Sequence, residues 1–235
     1  MQYPFKILSG LFFKETMEKQ SLLLEHNYQA PKNDSKNAPV IILLHGFGSD
    51  ENDLFSFAPE LPENYHIISL KAPIPMQPAG NAWYNIYFDN TDGKFSDTEQ
   101  AIASRDLIAK CIDEVVEKYK ADKNNVTLLG FSQGTILSFA VALSFPEKIK
   151  NVIGLSGYIN EDILKENYSE NNFKNLNIYS SHGTMDQVIP IDWARKTKPF
   201  LEKLNIDCTF SEFPVGHGVA PQNFYELKDW LLKHN

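Results

Sequence analysis

The 235-residue sequence contains little cysteine and little arginine, and each shortage excludes a class of protein. The two cysteines, Cys111 and Cys208, are too few for a disulfide-stabilised fold, and they form no Cys-x-x-Cys or Cys/His pair of the kind that binds metals. The two arginines and the net charge of −8 are unfavourable for binding the phosphates of a nucleic acid. We therefore expect no cysteine-based metal site and no nucleic-acid partner.

Long hydrophobic runs are also absent from the sequence. The most apolar stretch, residues 136–145, is far shorter than the about 18 residues that a membrane-spanning helix requires. The N-terminal residues lack a continuous apolar core followed by a small-residue cleavage site, so we do not interpret them as a secretory signal. These absences predict a cytoplasmic protein that does not insert stably into a membrane, and they leave its oligomeric state open.

The composition that is present, with 43% hydrophobic and 22% charged residues, is typical of a globular protein. The length fits one large domain better than two small ones. We expect residues 21–235 to form a single domain. An N-terminal extension, residues 1–20, precedes it, and the sequence does not predict the structure of this extension.

Short apolar runs alternate along the chain with longer segments of helical spacing. The runs predict strands buried on both faces, and the longer segments predict helices, the first of which we expect Ser96 and Glu99 to open as a capping box. This alternation predicts an α/β fold, with a mostly parallel central sheet, helices on both faces and no large cap domain. The predicted strands are residues 22–29, 40–44, 66–70, 126–129, 152–155, 176–180 and 206–210, and the predicted helices are residues 97–120, 133–145, 191–204 and 221–233.

Residues 71–95 interrupt this alternation with prolines and a run of aromatic residues. Long excursions between a strand and a helix usually carry function. The aromatic run and the segment 158–173 are therefore candidates for the walls of a substrate site, with Trp83 and Tyr84 as candidate substrate-binding residues. Aromatic side chains are commonly buried wherever they occur, so local core packing explains the same run equally well.

The pentapeptide GFSQG at residues 130–134 has the pattern Gly-x-Ser-x-Gly. The pattern alone is common, but here it follows a predicted strand and precedes a predicted helix, as a nucleophile elbow does. In such an elbow the glycines permit close approach of neighbouring chain segments, and the helix N-terminus directs amide groups towards developing negative charge. We therefore predict Ser132 as a catalytic nucleophile. A tight turn with a buried serine is the simpler alternative.

A serine nucleophile needs a histidine base, which a carboxylate orients. In sheets of this type the acid and then the base follow the serine along the chain. His217, in the Gly-His-Gly sequence at residues 216–218, is the predicted base. His182 lies at a strand end, where it is better explained as a turn residue, although an exchange of roles stays open. His234 is the penultimate residue and is the least suitable candidate.

The predicted acid is Asp186, which lies just past the carboxyl end of a predicted strand. Asp192 lies at the start of a predicted helix, where the helix dipole explains a carboxylate, and Asp207 lies within a predicted strand. The chain order Ser132, Asp186, His217 places each residue on a loop at the same edge of the sheet. This common location predicts a catalytic triad.

An acyl-transfer site also needs two backbone N–H groups that bind the developing oxyanion. The residue after the nucleophile, Gln133, is expected to supply one of them. Phe47, in the loop after strand 40–44, is expected to supply the other, because its glycine neighbours Gly46 and Gly48 let that loop turn inward. We expect His45 to hold the loop by hydrogen bonds rather than to react.

These motifs resemble, in the same order, those of the phospholipase/carboxylesterase family of α/β-hydrolases, which includes bacterial carboxylesterases and acyl-protein thioesterases. The resemblance extends from about residue 21 to the C-terminus. It implies an α/β-hydrolase fold without cofactor or metal, the same triad and oxyanion amides, and a substrate-lining role for the Trp83-Tyr84 segment. The matching motifs are LLHGFG at residues 43–48, GFSQG at residues 130–134, HGTMDQVIP at residues 182–190 and GHG at residues 216–218.

The sequence therefore predicts an esterase that acts on a small-molecule ester or thioester with a short to medium acyl chain, lysophospholipids included, through an acyl-enzyme on Ser132. An amidase- or peptidase-like hydrolase on the same fold is the alternative enzyme, although no carboxylate pair marks an amine-binding site. A binding module that has lost catalysis is the non-enzymatic alternative, and the complete set of triad residues argues against it.

Overall fold

The computed structural model describes residues 22–33, 37–89 and 93–235, so the predicted extension, residues 1–20, and the first residue of the predicted domain lie outside the described residues. The strands in chain order are β1 (His26–Gln29), β2 (Val40–Leu44), β3 (His66–Leu70), β4 (Ile74–Pro75), β5 (Asn81–Ala82), β6 (Ile86–Asp89), β7 (Gly93–Ser96), β8 (Val126–Phe131), β9 (Asn151–Leu155), β10 (Asn177–Gly183) and β11 (Cys208–Phe213). The α-helices are α1 (Thr98–Tyr119), α2 (Gln133–Ser144), α3 (Ile191–Ala194), α4 (Thr197–Lys203) and α5 (Pro221–Lys233). Short 3-10 helices lie at Leu54–Glu60, Pro146–Lys148, Glu161–Ile163 and Tyr168–Glu170.

Seven strands form one sheet in the order β1-β3-β2-β8-β9-β10-β11. Every neighbouring pair is parallel except β1 with β3, which is antiparallel. Parallel neighbours need crossover connections, and the helices between the strands supply them. The predicted α/β fold with a mostly parallel sheet is confirmed.

The central strands are buried on both faces, as their continuous apolar runs predict. Val40 and Leu44 of β2 pack with α1 and α2 on one face of the sheet. Ile41 and Leu43 pack with α5 and the 3-10 helix Leu54–Glu60 on the other face. The sheet therefore lies between two layers of helix, and its strand ends remain accessible for a site.

The predicted capping box is one residue out of place. Ser96 still pairs with Ile86 in the β6–β7 hairpin, so it is not available as the helix cap. Asp97 caps α1 instead, and its side chain accepts a hydrogen bond from the backbone N–H of Gln100. Carboxylates are as suitable at this position as hydroxyls, so the cap forms on the first residue that leaves the strand.

The predicted helix 191–204 is two helices, α3 and α4. Pro199 is the third residue of α4, within its first turn. A continuous helix from residue 191 would place this proline in its interior, where the missing N–H and the ring clash cost about 3 kcal/mol. The chain therefore turns at residues 195–196 and starts a new helix.

Residues 71–95 form two small hairpins, β4 with β5 and β6 with β7. Asn81 attaches the first hairpin to the loop after β2, because it accepts from the N–H of Gly48 and donates to the carbonyl of Ser49. The part of the chain that the structure describes contains no segment large enough for a separate cap domain. These hairpins therefore lie at the edge of the sheet from which the predicted site residues emerge.

The helices and cysteines of the described residues add two findings. None of the helices in this part of the chain is both long and apolar enough to cross a membrane.

Cys111 and Cys208 are both free thiols. Burial raises the pKa of each thiol to about 12, so both stay protonated and are poor nucleophiles near neutral pH.

Candidate active site

Ser132 lies at the sharp turn between β8 and α2, with backbone angles φ 53° and ψ −115°. This conformation is strained for a non-glycine residue and persists only where the surroundings impose it. The two glycines of the elbow show why. A Cβ atom on Gly134 would lie 1.9 Å from the carbonyl oxygen of Leu44, and one on Gly130 would lie 2.5 Å from the Gly134 backbone. The elbow therefore requires glycine at both positions.

The structure brings Ser132, His217 and Asp186 together. His217 Nδ1 lies 2.7 Å from Asp186 Oδ2, and His217 Nε2 lies 2.9 Å from Ser132 Oγ. Because the Nδ1–H donates to the carboxylate, Nε2 carries the lone pair that accepts the serine hydroxyl hydrogen. This is the geometry in which a histidine takes a proton from a serine nucleophile.

Asp186 is a buried carboxylate that stays ionised. Burial by itself raises its pKa, but hydrogen bonds from His217 and from the N–H groups of Ile189 and Val188 outweigh burial and hold the pKa below its usual value. The two N–H groups lie 2.9 and 2.8 Å from Oδ1. The ionised carboxylate can therefore stabilise positive charge on His217.

His182 contacts Asp186 and does not contact Ser132. Its Nε2 lies 2.8 Å from the carbonyl oxygen of Ile189 and 3.2 Å from Asp186 Oδ2, so one N–H points at both acceptors. Its Nδ1 has no hydrogen-bond partner among the described residues. The structure thus places His182 behind the acid, where it supports the loop that carries Asp186.

Phe47 and Gln133 both line the space in front of Ser132. Gln133 is the first residue of α2, so its N–H is one of the free N–H groups at a helix start. Within the described part of the chain, neither the Phe47 N–H nor the Gln133 N–H has a hydrogen-bond acceptor. Both groups are therefore available to bind an oxyanion.

His45 is fully buried and holds the loop that carries Phe47. Its Nδ1 lies 2.8 Å from the carbonyl oxygen of Gly46, and its Nε2 accepts a hydrogen bond from the N–H of Ala72 at 3.0 Å. The ring is therefore neutral, with its hydrogen on Nδ1. Burial lowers the pKa of His45, which favours the same neutral form.

A cavity of about 550 Å³ opens in front of Ser132 and His217. Most of its wall is apolar or aromatic. This composition suits an acyl chain, because burial of each methylene stabilises a complex by about 0.8 kcal/mol. The apolar and aromatic side chains of this wall are Phe47, Tyr84, Ile86, Ile136, Tyr158, Val188, Ile189 and Trp193.

The two candidate substrate-binding residues have different locations. Both residues are buried, Trp83 at 0% and Tyr84 at 2% exposure, but only Tyr84 lines the cavity. Trp83 donates its indole N–H to the carbonyl oxygen of His45 at 2.9 Å. The Phe88 side chain, part of the same aromatic run, lies outside the described residues.

The Gln133 side chain clamps this aromatic segment. Its Oε1 accepts from the backbone N–H of Trp83, and its Nε2 donates to the carbonyl oxygen of Tyr84, both at 2.8 Å. The sequence predicted a role only for the backbone of Gln133. One residue therefore carries an oxyanion N–H and also fixes a wall of the cavity.

Helix α1 supports two further parts of the wall. Ser104 donates its hydroxyl hydrogen to the carbonyl oxygen of Trp83, and Arg105 donates to the carbonyl oxygen of Ile163 at 2.6 Å. Arg105 also forms an ion pair with its neighbour Asp106. The aromatic segment and the loop before β10 are thus both attached to α1.

The described residues contain no group of three or more His, Cys, Asp or Glu side chains that could hold a metal ion.

Several residues of the cavity wall were not predicted from the sequence. Ile136 follows the elbow in the first turn of α2, and Trp193 is an exposed tryptophan on α3, shortly after Asp186. A tryptophan only seven residues after a predicted triad residue was the signal that the sequence offered for the second of these.

Curated relatives match most of the chain. Acyl-protein thioesterase 1 of Kluyveromyces lactis is 29% identical over 211 residues, which cover 83% of this chain and 91% of the relative. Acyl-protein thioesterase 1 of Saccharomyces cerevisiae is 28% identical over 219 residues, which cover 83% of this chain and 92% of the relative.

Solved structures share the fold. The Bacillus cereus carboxylesterase superposes with a TM-score of 0.78 at 22% identity, covering 91% of this chain and 95% of its own. Acyl-protein thioesterase 2 of Zea mays superposes with a TM-score of 0.70 at 21% identity, covering 89% of this chain and 98% of its own. The sequence profile described as Phospholipase/Carboxylesterase matches residues 27–235. The chain therefore belongs to the phospholipase/carboxylesterase family of α/β-hydrolases.

Proposed function

We propose that the protein is a serine hydrolase that cleaves carboxylic esters or thioesters of short to medium acyl chains through an acyl-enzyme on Ser132. The observation that carries this proposal is the position of His217, whose ring joins Ser132 Oγ at 2.9 Å to Asp186 Oδ2 at 2.7 Å. The acyl-protein thioesterases and carboxylesterases among its relatives support the same reaction.

The proposed reaction has two halves. In the first, His217 Nε2 takes the hydroxyl proton as Ser132 Oγ attacks the carbonyl carbon, and the N–H groups of Phe47 and Gln133 bind the oxyanion. His217 then gives the proton to the departing alcohol or thiol, which leaves the acyl group on Ser132. In the second half a water molecule repeats these steps and releases the acid.

Three further assignments complete the proposal. We assign residues 21–235 to one catalytic domain, because strands from β1 to β11 form one sheet and α5 packs against it. We assign the protein to the cytoplasm, where free thiols such as those of Cys111 and Cys208 stay reduced. The substrate is a small molecule or another acylated molecule, and Tyr84 rather than Trp83 contacts it.

Labelling with a fluorophosphonate probe tests the nucleophile. Wild-type protein should be labelled on Ser132, and Ser132→Ala should lose the label and about 10⁴–10⁶-fold in kcat. Ser180→Ala is the matched control, because Ser180 is a buried serine on β10 whose hydroxyl has no hydrogen-bond partner among the described residues. A Ser132→Ala protein that keeps more than about a tenth of the wild-type ester turnover would remove Ser132 from the mechanism.

A second assay separates an esterase from an amidase. p-Nitrophenyl esters and aminoacyl anilides are given to the same preparation at matched concentrations. We expect turnover of the esters and little turnover of the anilides, because an amine leaving group needs stronger protonation than an alcohol or thiol. Faster turnover of the anilides would favour the amidase alternative.

A further inference from the structure

The charge of the cavity wall is one-sided. Among the described residues of the wall, Asp162 is the only one with a carboxylate, and no lysine or arginine lies there. His217 is the only histidine among them. An aqueous anion would therefore meet a carboxylate and no counter-charge. A cation would meet a charge of opposite sign.

Asp162 is an exposed residue of the cavity wall, and it lies in the 3-10 helix Glu161–Ile163. The Asn160 side chain caps this short helix by accepting from the N–H of Asp162 at 3.1 Å, which fixes the backbone of the acid. Within the described residues, no hydrogen bond or ion pair uses the Asp162 carboxylate. Its charge is therefore free to act on a bound molecule.

Tyr158 and Trp193 line the same cavity as Asp162. Their rings form an edge-to-face pair, with centroids 5.2 Å apart and planes at 73°. Burial raises the pKa of Tyr158, and the charge of Asp162 raises it further, so the carboxylate is close enough to act on the phenol. Trp193 is 45% exposed, which leaves much of its ring uncovered for a ligand.

An aromatic pair beside a carboxylate is a typical arrangement for binding an organic cation. The electron-rich ring faces attract a cation within about 6 Å, and the carboxylate adds Coulomb attraction. On the far side of the Tyr158–Trp193 pair, an adjoining cavity of about 320 Å³ carries Glu161 and Lys196. These two charges have opposite sign, so this second cavity adds no net charge beside the aromatic pair.

We propose that the cavity selects substrates that carry an organic cation, such as a quaternary ammonium group, which binds between Asp162 and the Tyr158–Trp193 pair. This inference rests on the proposed esterase function and specifies its substrate class. The cation can belong to the leaving group or to the acyl group, and the experiment has one arm for each.

The experiment compares charged esters with uncharged esters of the same shape. For the leaving group, the pair is butyrylcholine and 3,3-dimethylbutyl butyrate. For the acyl group, the pair is the p-nitrophenyl esters of 4-(trimethylammonio)butyrate and 5,5-dimethylhexanoate. In the arm that matches the cation site, we expect kcat/KM to be about threefold to tenfold higher for the charged ester at low salt, and less at high salt.

Asp162→Asn removes the charge and keeps the shape, and it should bring the charged-to-neutral ratio of kcat/KM close to one. Trp193→Leu should lower the same ratio. The matched control is Glu166→Gln, which changes the net charge of the protein equally but alters a residue outside both cavity walls. We expect this control to keep the wild-type ratio.

The outcomes separate the two proposals. If the neutral esters are hydrolysed but neither arm favours the charged ester, the cation site is refuted and the esterase function stands. If the preference survives in Asp162→Asn, or is lost equally in Glu166→Gln, the assignment to Asp162 is refuted. If no ester is hydrolysed in any arm, the proposed function itself is wrong.

Discussion

The double hydrogen bond of the Gln133 side chain can be tested by Gln133→Met. Methionine has nearly the same shape, so the substitution leaves little cavity, but it can neither accept from the Trp83 N–H nor donate to the Tyr84 carbonyl. Both backbone groups are buried, and both hydrogen bonds are 2.8 Å long in the structure. The substitution therefore leaves one buried donor and one buried acceptor without a hydrogen-bond partner.

The expected cost follows from these two groups. An unsatisfied buried polar group costs about 1–3 kcal/mol, so the two together should lower the free energy of unfolding by about 2–6 kcal/mol. For a chain of this size that loss corresponds to a fall of about 5–20 °C in Tm. Gln100→Met is the matched control, because Gln100 makes one such bond, to the Asn85 N–H, at a half-buried place where water can replace it.

The catalytic effect should be selective. Gln133→Met keeps the backbone N–H that we assign to the oxyanion, so kcat for an acetate ester should stay within about tenfold of wild type. The Tyr84 wall loses its anchor, so the gain in kcat/KM with each added methylene, about fourfold at best, should flatten over an acetate-to-palmitate series.

Thermal unfolding followed by circular dichroism, together with that ester series, checks both expectations. A Gln133→Met protein that melts within about 1 °C of wild type with an unchanged chain-length profile would refute the clamp. A loss of acetate turnover as large as that of Ser132→Ala would refute the separation of side-chain and backbone roles.

Two further predictions concern the buried histidines. Burial lowers the pKa of His45, and the charges of Asp50, Glu51 and Asp53 partly oppose this effect. As pH falls below about 6.5, His45 therefore becomes protonated in the unfolded chain while it stays neutral in the folded protein. Stability to urea should therefore fall from that pH downwards, and His45→Gln should show a weaker fall; equal slopes in both proteins would contradict the assignment. His182→Leu should lose about 10–100-fold in kcat/KM, because Asp186 loses a donor, whereas His182→Gln, which can place an N–H where Nε2 lies, should stay within about fivefold. Equal losses in the two variants, measured on one ester across pH 5–9, would mean that the contact with Asp186 has no functional role.

The sequence predicted the central sheet and the proximity of the triad residues for a local reason. Each of Ser132, Asp186 and His217 lies within about four residues of the end of a parallel strand, and the carboxyl ends of parallel strands meet at one edge of the sheet. Strands and loops can both be predicted from short windows of sequence. The proximity therefore followed from local patterns and one topological rule.

The cavity wall was less predictable, because its residues come from separate segments and no local pattern states which of them face inward. Trp83 and Tyr84 are both aromatic and both buried, yet only Tyr84 lines the cavity. The difference depends on which backbone groups the Gln133 side chain engages, a contact across 49 or 50 residues of chain. Such long-range pairings are fixed by packing and not by propensity.

Helix α1 contributes no residue to the triad of Ser132, His217 and Asp186, yet it holds two segments of the cavity wall in place. Ser104 fixes the aromatic segment, and Arg105 fixes the loop that carries Asp162. On the α1 side, the shape of the cavity thus depends on residues that take no part in the reaction. Substitutions along the inner face of α1 can therefore retune which esters fit without disturbing proton transfer. In a laboratory search for new substrate ranges, a library confined to this helix would explore shape while the chemistry stays constant.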